Sequence, residues 1–272
     1  MEYLKLIKIK MNLFDCFMYN NEETLLDLRL HTLSKYVQKF ILVESLFDHQ
    51  GNKKDKFFNV ENFKKYKDKI VSLKIENFPS NVNGSWKREN FQRNYIAKAL
   101  ENLNDDDYII ISDADEIPNL KNIKNIEKNR FTAFKQSNYC YKFNMKNITF
   151  PDWYGSKLCK KKYLKSPQWL RNQKVKNYSF LRFFKINWNI IENGGWHFSF
   201  LMHPDDIKKK IKSFAHTEFN KTQYLDIEKI KKTISEGKDL FNREQKYSKV
   251  DLDKSFPKYI FENKIKLQDW IV

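Results

Sequence analysis

Hydrophobic and polar positions along the first 118 residues alternate between two patterns. Apolar runs of strand length fall at 12–18, 40–44 (Phe-Ile-Leu-Val-Glu), 70–75 and 107–112 (Asp-Tyr-Ile-Ile-Ile-Ser). Between them the apolar residues take helical spacing. Within 22–36, Leu25, Leu26, Leu28, Leu30 and Leu33 make a broad apolar face. Asn21 is placed to cap that helix, and Glu22 and Glu23 suit its positive end. Residues 60–66 read as helical. Residues 86–103 predict a long helix capped by Ser85, with Phe91, Tyr95, Ile96, Ala99, Leu100 and Leu103 on one face. Apolar strands without in–out alternation belong in parallel sheets covered on both sides. The order therefore predicts an α/β sheet flanked by helices.

Beyond residue 118 the pattern changes. Segments 131–143, 155–163, 178–185 and 188–192 are rich in aromatics and read as strands or hairpins, and helical spacing returns at 204–214 and 224–236. No Pro/Gly-rich linker separates the halves, so the expectation is a single domain over 1–272, with a first half to 118, a second half over 119–240 and a helical tail over 241–272. Residues 1–11 alternate Leu or Ile with Lys. They lack the apolar core and cleavage site of a signal peptide and read as a short leader into the first strand. With no run of about 18 apolar residues, no transmembrane helix is expected.

Composition narrows the function classes. A chain of 272 residues that is 41% hydrophobic and 16% aromatic is not disordered, and it can bury a core without staples. Cys16, Cys140 and Cys159 are odd in number and widely spaced, which predicts reduced buried thiols and neither a disulfide framework nor a zinc site. The net charge is +17, yet only seven of the 51 basic residues are arginine. A nucleic-acid surface would favour the bidentate guanidinium. The dispersed lysines read mainly as solvated surface, with attraction to an anionic substrate or membrane surface as the alternative.

Four features carry candidate chemistry. Asp113-Ala114-Asp115-Glu116-Ile117-Pro118 directly follows a buried apolar strand. Ligands of open α/β sheets bind outside the carboxyl ends of strands, and two carboxylates in a tight turn there suit Mg²⁺ or Mn²⁺ shared with phosphate oxygens. The same acids could instead form a polar turn. Gly194-Gly195-Trp196-His197-Phe198-Ser199 pairs glycines, which allow close backbone approach or positive φ, with a histidine that is either a third metal ligand or a core residue. In the segment 213–219, His216 and Glu218 stand two apart, as a base and its orienter, a ligand, or a cap. In the segment 86–94, Glu89 and Arg93 share a helix face as an ion pair, or Arg93 serves a diphosphate with Trp86 stacking nearby.

Together these segments resemble glycosyltransferase family 17 over roughly residues 12 to 240. The resemblance rests on Asp15-Cys16-Phe17-Met18 with Asn21-Glu22, Leu25-Leu26 and Arg29-Leu30, and on Leu42-Val43-Glu44 with Gly51 and Phe57-Phe58. It continues through Trp86, Glu89, Gln92, Arg93 and Asn94, then Ser112 to Pro118, Trp153 with Gly155, and Gly195 to Ser199. His216 and Glu218 look more like microbial and viral members. The resemblance implies a GT-A-like fold, a Rossmann-like mixed sheet flanked by helices with an aromatic-rich acceptor-side half. It further implies a UDP-sugar donor (UDP-GlcNAc by analogy), Mn²⁺ or Mg²⁺, a glycan or glycoconjugate acceptor, and inversion at the anomeric carbon.

On that basis Asp113, Asp115 and His197 are expected to hold the metal, and Asp113, Arg93, Glu44 and Trp86 to face the donor. The general base is sought among Glu218, Asp152 and Glu192, with Glu218 favoured and Glu116 beside the metal or the acceptor. Trp153, Tyr154 and Trp196 could offer flat faces to a sugar. The expected setting is cytoplasmic, in a bacterium or in a viral host or virion, without nucleic-acid partners and with peripheral membrane contact left open. A metal-dependent phosphoryl hydrolase or nucleotidyltransferase, a basic nucleic-acid-binding protein, and a transferase that has lost catalysis are the alternatives.

Overall fold

The computed structural model describes residues 11–175 and 186–272. Residues 1–10 of the expected leader and the strand expected at 178–185 lie outside them. The chain opens with β1 (Leu13–Met18), α1 (Glu23–Leu33) and β2 (Lys39–Ser45). A 3-10 stretch (Val60–Lys69) then leads to β3 (Ile70–Ile75), α2 (Ser85–Tyr95), α3 (Ala97–Leu100), β4 (Tyr108–Asp113) and β5 (Glu116–Pro118). There follow β6 (Phe131–Phe134), β7 (Gln136–Cys140), β8 (Met145–Asn147), β9 (Asp152–Trp153), β10 (Lys157–Lys160), α4 (Pro167–Asn172), β11 (Trp188–Ile191) and β12 (Gly195–Ser199). Last come α5 (Pro204–Ser213), α6 (Ile227–Ser235), β13 (Tyr247–Lys249) and α7 (Lys258–Glu262).

Among the described residues, seven strands form one sheet in the order β11-β6-β10-β4-β1-β2-β3, and the second sheet runs β13-β8-β7-β12-β5 with β9 on β7. β1 pairs in parallel with β2 and β4, and β2 with β3, while β10 runs antiparallel between β4 and β6. In the second sheet β12 lies parallel to β7 and antiparallel to β5. Both sheets are thus mixed.

The apolar runs are explained by burial on both sides. Phe40 and Leu42 of β2 and Ile110 of β4 join the core under α1, while Ile41, Val43, Ile109 and Ile111 join the core under α2 and α3. A third core packs Tyr141 and Met145 against Ile207, Ile211 and Ile230 of α5 and α6. The three thiols are buried and free. Burial pushes those of Cys140 and Cys159 up to about 12, which leaves them inert. Among the described residues no helix is long and apolar enough to cross a membrane.

Several boundaries differ from the sequence expectation for identifiable reasons. Asn21 sits at φ 66 outside α1, whose N-cap is Glu22, and the Glu22 carboxylate accepts from the Asn20 backbone N–H at 2.6 Å. Ser85 is the first residue of α2, after Gly84 at φ +98, and its hydroxyl donates to the Ala215 carbonyl. The predicted 86–103 helix is two helices. The predicted strand over 131–143 divides at Lys135, where the chain leaves the first sheet for the second. The tail over 241–272 holds a strand, a five-residue helix and one 3-10 turn, so it is not chiefly helical.

One buried side chain ties these layers together. Arg29 of α1 is fully buried. Its guanidinium donates to both carboxylate oxygens of Asp15 on β1, at 2.7 and 2.6 Å, and to the Ser112 hydroxyl on β4. It also donates to the carbonyls of Asp113, Ala114 and Glu116, and it lies 4.3 Å from the centre of the Phe17 ring. Removing one partner of a buried pair strands the other charge, at a cost of about 3–5 kcal/mol. Arg29→Met should lower unfolding stability by about that amount in urea titrations. A change below about 1 kcal/mol would contradict this account.

Candidate active site

The parallel strands leave their carboxyl ends along one edge, and β1 lies between β2 and β4, the place where connections depart in opposite directions. A crevice forms at such a point. Here Met18 at the end of β1 pairs with Asp113 at the end of β4, and a cleft of about 750 Å³ opens beside them. Its walls include Tyr19 and Asn20 after β1, His49 after β2, Arg93 on α2, Arg171 on α4 and His197 on β12.

The turn between β4 and β5 places its three acids in different environments. Asp113 is gripped from both sides: Oδ1 accepts from Arg93 Nη2 at 2.9 Å and Oδ2 from Arg171 Nη2 at 2.7 Å. Burial alone would raise its carboxyl, but Arg171 and Arg93 override burial and hold it well below the usual carboxylate range. Arg93 also bonds Glu89 and Gln168, tying α2 to α4. Glu116 is wholly buried and accepts from the Asp113 backbone N–H, Trp153 Nε1 and Arg171 Nη2. Gly155 makes room for it, since a Cβ there would come within 1.9 Å of Glu116 Oε1. Buried Lys157 donates to the Arg171 carbonyl at 2.5 Å. Burial and then the Arg171 charge push its amine down to about 7.

Asp115 lines the cleft beside Asp113 and Glu116 but, unlike them, has no guanidinium partner among the described residues, and its carboxylate is 3.8 Å from His197 Nε2. The His197 ring is held on one face by Trp153, stacked at 4.4 Å and 17°, and at Nδ1 by Asn138 Oδ1 at 3.0 Å. Gly195 makes this approach possible. It sits at φ +129, where a Cβ would meet the Ile117 carbonyl at 2.1 Å.

Among the described residues no three of His, Cys, Asp and Glu converge as a ready-made metal site. Asp115 and His197 offer one oxygen and one nitrogen, a set that with phosphate oxygens and water suits Mn²⁺ better than it suits Mg²⁺, which prefers all-oxygen ligands. Asp113 has one hydrogen bond from a guanidinium on each oxygen, which leaves one lone pair per oxygen.

The remaining expected residues fall in three places. Trp86 lines the cleft, half exposed, with His216 packed edge-on at 4.6 Å. His216 lines the cleft too, and its Nδ1 is 2.7 Å from Glu218, which is not among the lining residues and whose exposed carboxyl is lowered by that bond. Asp152 and Glu192 both pair with Lys135 at 3.3 Å, away from the cleft walls. Glu44 is buried, and its carboxylate accepts from the Phe58 backbone N–H, behind the wall. Trp196 is in the core, bonded to the Ser255 carbonyl.

Sequence reasoning passed over Arg171, Lys54, Lys210 and Asn138. It treated Glu22 as a helix-end acid and part of the resemblance but not as a site residue, and Glu22 lines the cleft with Lys54 and Lys210. Burial raises its carboxyl and lowers the amine of Lys54. The one signal that pointed to Arg171 was rarity: where lysine supplies most of the charge, an arginine marks a place suited to the planar fork.

The family model for Glycosyltransferase family 17 matches residues 4–259. The beta-1,4-mannosyl-glycoprotein 4-beta-N-acetylglucosaminyltransferases of Homo sapiens and Rattus norvegicus are each 32% identical to this chain over 108 residues, and that of Mus musculus is 31% identical. Each match spans 36% of this chain and 20% of the relative, so the alignment reaches about a fifth of the length of these relatives.

The grip on Asp113 has a pH signature. Its folded pKa lies below the unfolded value of about 3.9, so its contribution is full well above that value and declines as pH falls through it. Asp113→Asn should cost about 1–3 kcal/mol at pH 7, allowing for partial exposure. The gap to wild type should narrow by about 1 kcal/mol at pH 3. Urea unfolding of both proteins at the two pH values measures this, and a gap that widens in acid would contradict it.

Proposed function

The chain belongs to glycosyltransferase family 17, and from that premise we propose that it moves a sugar, N-acetylglucosamine in the first instance, from a UDP-sugar to a hydroxyl of a glycan or glycoconjugate, with inversion. The observation that carries the reading is the Asp115–His197 pair at the carboxyl edge of the parallel strands, in a cleft also lined by Lys54 and Lys210. We read the two helix-flanked sheets as a GT-A-like fold, with the donor held by the half up to residue 118 and the acceptor by the half beyond it.

In this reading Asp115 and His197 would hold Mn²⁺ or Mg²⁺, which when bound offsets negative charge on the departing diphosphate. The chain's own residues do the rest. Lys54 and Lys210 attract the anionic donor to the cleft. Arg93 and Arg171 fix the shape of the wall through Asp113 and Glu116, so the polar groups are oriented before the donor arrives. Trp153, braced by Glu116 and stacked on His197, limits water and presents an edge to a sugar ring. The acceptor oxygen bonds to the anomeric carbon as the bond to the diphosphate oxygen breaks. The acceptor proton passes to His216 Nε2, while Glu218 holds Nδ1–H and orients the ring. Glu218 is thus the positioning partner of the base.

Thermal shift against a panel of nucleotide sugars with Mn²⁺ tests donor binding. A ligand at 100 times its Kd adds about 2.7 kcal/mol of stability. One UDP-sugar should raise the melting temperature of wild type in a Mn²⁺-dependent way, and Asp115→Ala should lose the effect. No shift with any nucleotide sugar, together with hydrolysis of simple phosphate esters, would overturn the reading in favour of a phosphoryl hydrolase. In transfer assays His216→Ala should lower kcat by about 10²–10⁴-fold, and Glu218→Gln by less.

A further inference from the structure

We propose that Asn138 is a positioning residue that fixes the tautomer of His197 and so keeps Nε2 as a lone pair aimed towards Asp115. Asn138 is on β7, beside His197 on β12 in the parallel register of the second sheet. Its two amide atoms have different partners. Nδ2 donates to the Phe150 carbonyl at 3.0 Å, and Oδ1 is 3.0 Å from His197 Nδ1. A backbone carbonyl can only accept, so the NH₂ group must face Phe150 and the oxygen must face the histidine. An amide oxygen can likewise only accept, so His197 Nδ1 must carry the proton. The neutral ring then has its unprotonated nitrogen at Nε2, 3.8 Å from Asp115 Oδ1.

The amide cannot readily turn over. The Asn138 backbone N–H donates to the Pro151 carbonyl, so the strand and the 150–151 segment are joined at backbone and side chain alike. That segment is itself pinned, since Asn147 Oδ1 accepts from the backbone N–H groups of Thr149 and Phe150. Trp153 stacked on the ring opposes rotation of the imidazole. Partners that fix the tautomer of a ligating histidine typically change metal affinity 10–100-fold when removed. The significance of the lone pair rests on the transferase reading above. The tautomer itself does not.

The test is two-bond ¹H–¹⁵N correlation of histidine-labelled, metal-free protein at pH 8, where an ordinary histidine is neutral, with the His197 signals identified by their loss in His197→Ala. The expected result is a His197 protonated at Nδ1 and unprotonated at Nε2. Asn138→Leu should shift it towards the Nε2–H form and weaken Mn²⁺ binding, read by EPR, about 10–100-fold. Asn138→Asp, which keeps an acceptor at that place, should retain the tautomer. A wild-type His197 protonated at Nε2 would overturn the proposal without reference to any variant. So would an Asn138→Leu protein that keeps both the Nδ1–H form and wild-type Mn²⁺ affinity. The expected tautomer in a protein that transfers no sugar would support the role of Asn138 and count against the transferase reading alone.

Discussion

The geometry of the cleft depends first on the buried guanidinium of Arg29. Its hydrogen bonds reach Asp15 on β1, Ser112 on β4 and the carbonyls of Asp113, Ala114 and Glu116. A carbonyl-rich turn at a strand end is ordinarily satisfied by water and free to move. Here the carbonyls of Asp113, Ala114 and Glu116 accept from one rigid planar group and that of Asp115 accepts from the Phe198 backbone N–H, so the turn is fixed from below. Burying this charge is costly, and the cost is met only because Asp15 takes two of its bonds and neutral acceptors take the rest.

That fixed base allows two acids two residues apart to do different work. Asp113 and Asp115 would repel each other if both faced the same point. Arg93 and Arg171 neutralise Asp113 where it lines the cleft, while Glu116 holds Arg171 and Trp153 from beneath. Asp115 lies opposite His197 and has no guanidinium partner among the described residues. The D-x-D spacing thus gives one carboxylate paired with guanidinium groups and one beside a histidine. The wall between them is built of charged groups whose partners are already in place, the condition under which a site reorganises least when charge develops.

Much of this was legible in the chain. The apolar runs at 40–44 and 107–112 had no in–out alternation because β2 and β4 are covered on both faces, and the acids after the second run marked the cleft edge. The glycines at 194–195 were read as allowing close approach or positive φ, and Gly195 does both. The rest depended on tertiary contacts that leave little local trace. β5, β9 and β13 are two or three residues long. The break at Lys135 exists only because the chain changes sheets. Glu44, Asp152 and Glu192 have the residue type of catalytic acids, but their partners, the Phe58 N–H and Lys135, decide where they point. The scarcity of arginine was the overlooked clue. Arg29, Arg93 and Arg171 each make the multiple planar bonds that lysine cannot.

The most direct test of this division of labour is a crystal structure with Mn²⁺ and UDP, using the anomalous signal to place the metal. The account predicts Mn²⁺ on Asp115 and His197 Nε2, with Asp113 still bridging Arg93 and Arg171. A metal bound by Asp113, with the two arginines released from it, would contradict the account.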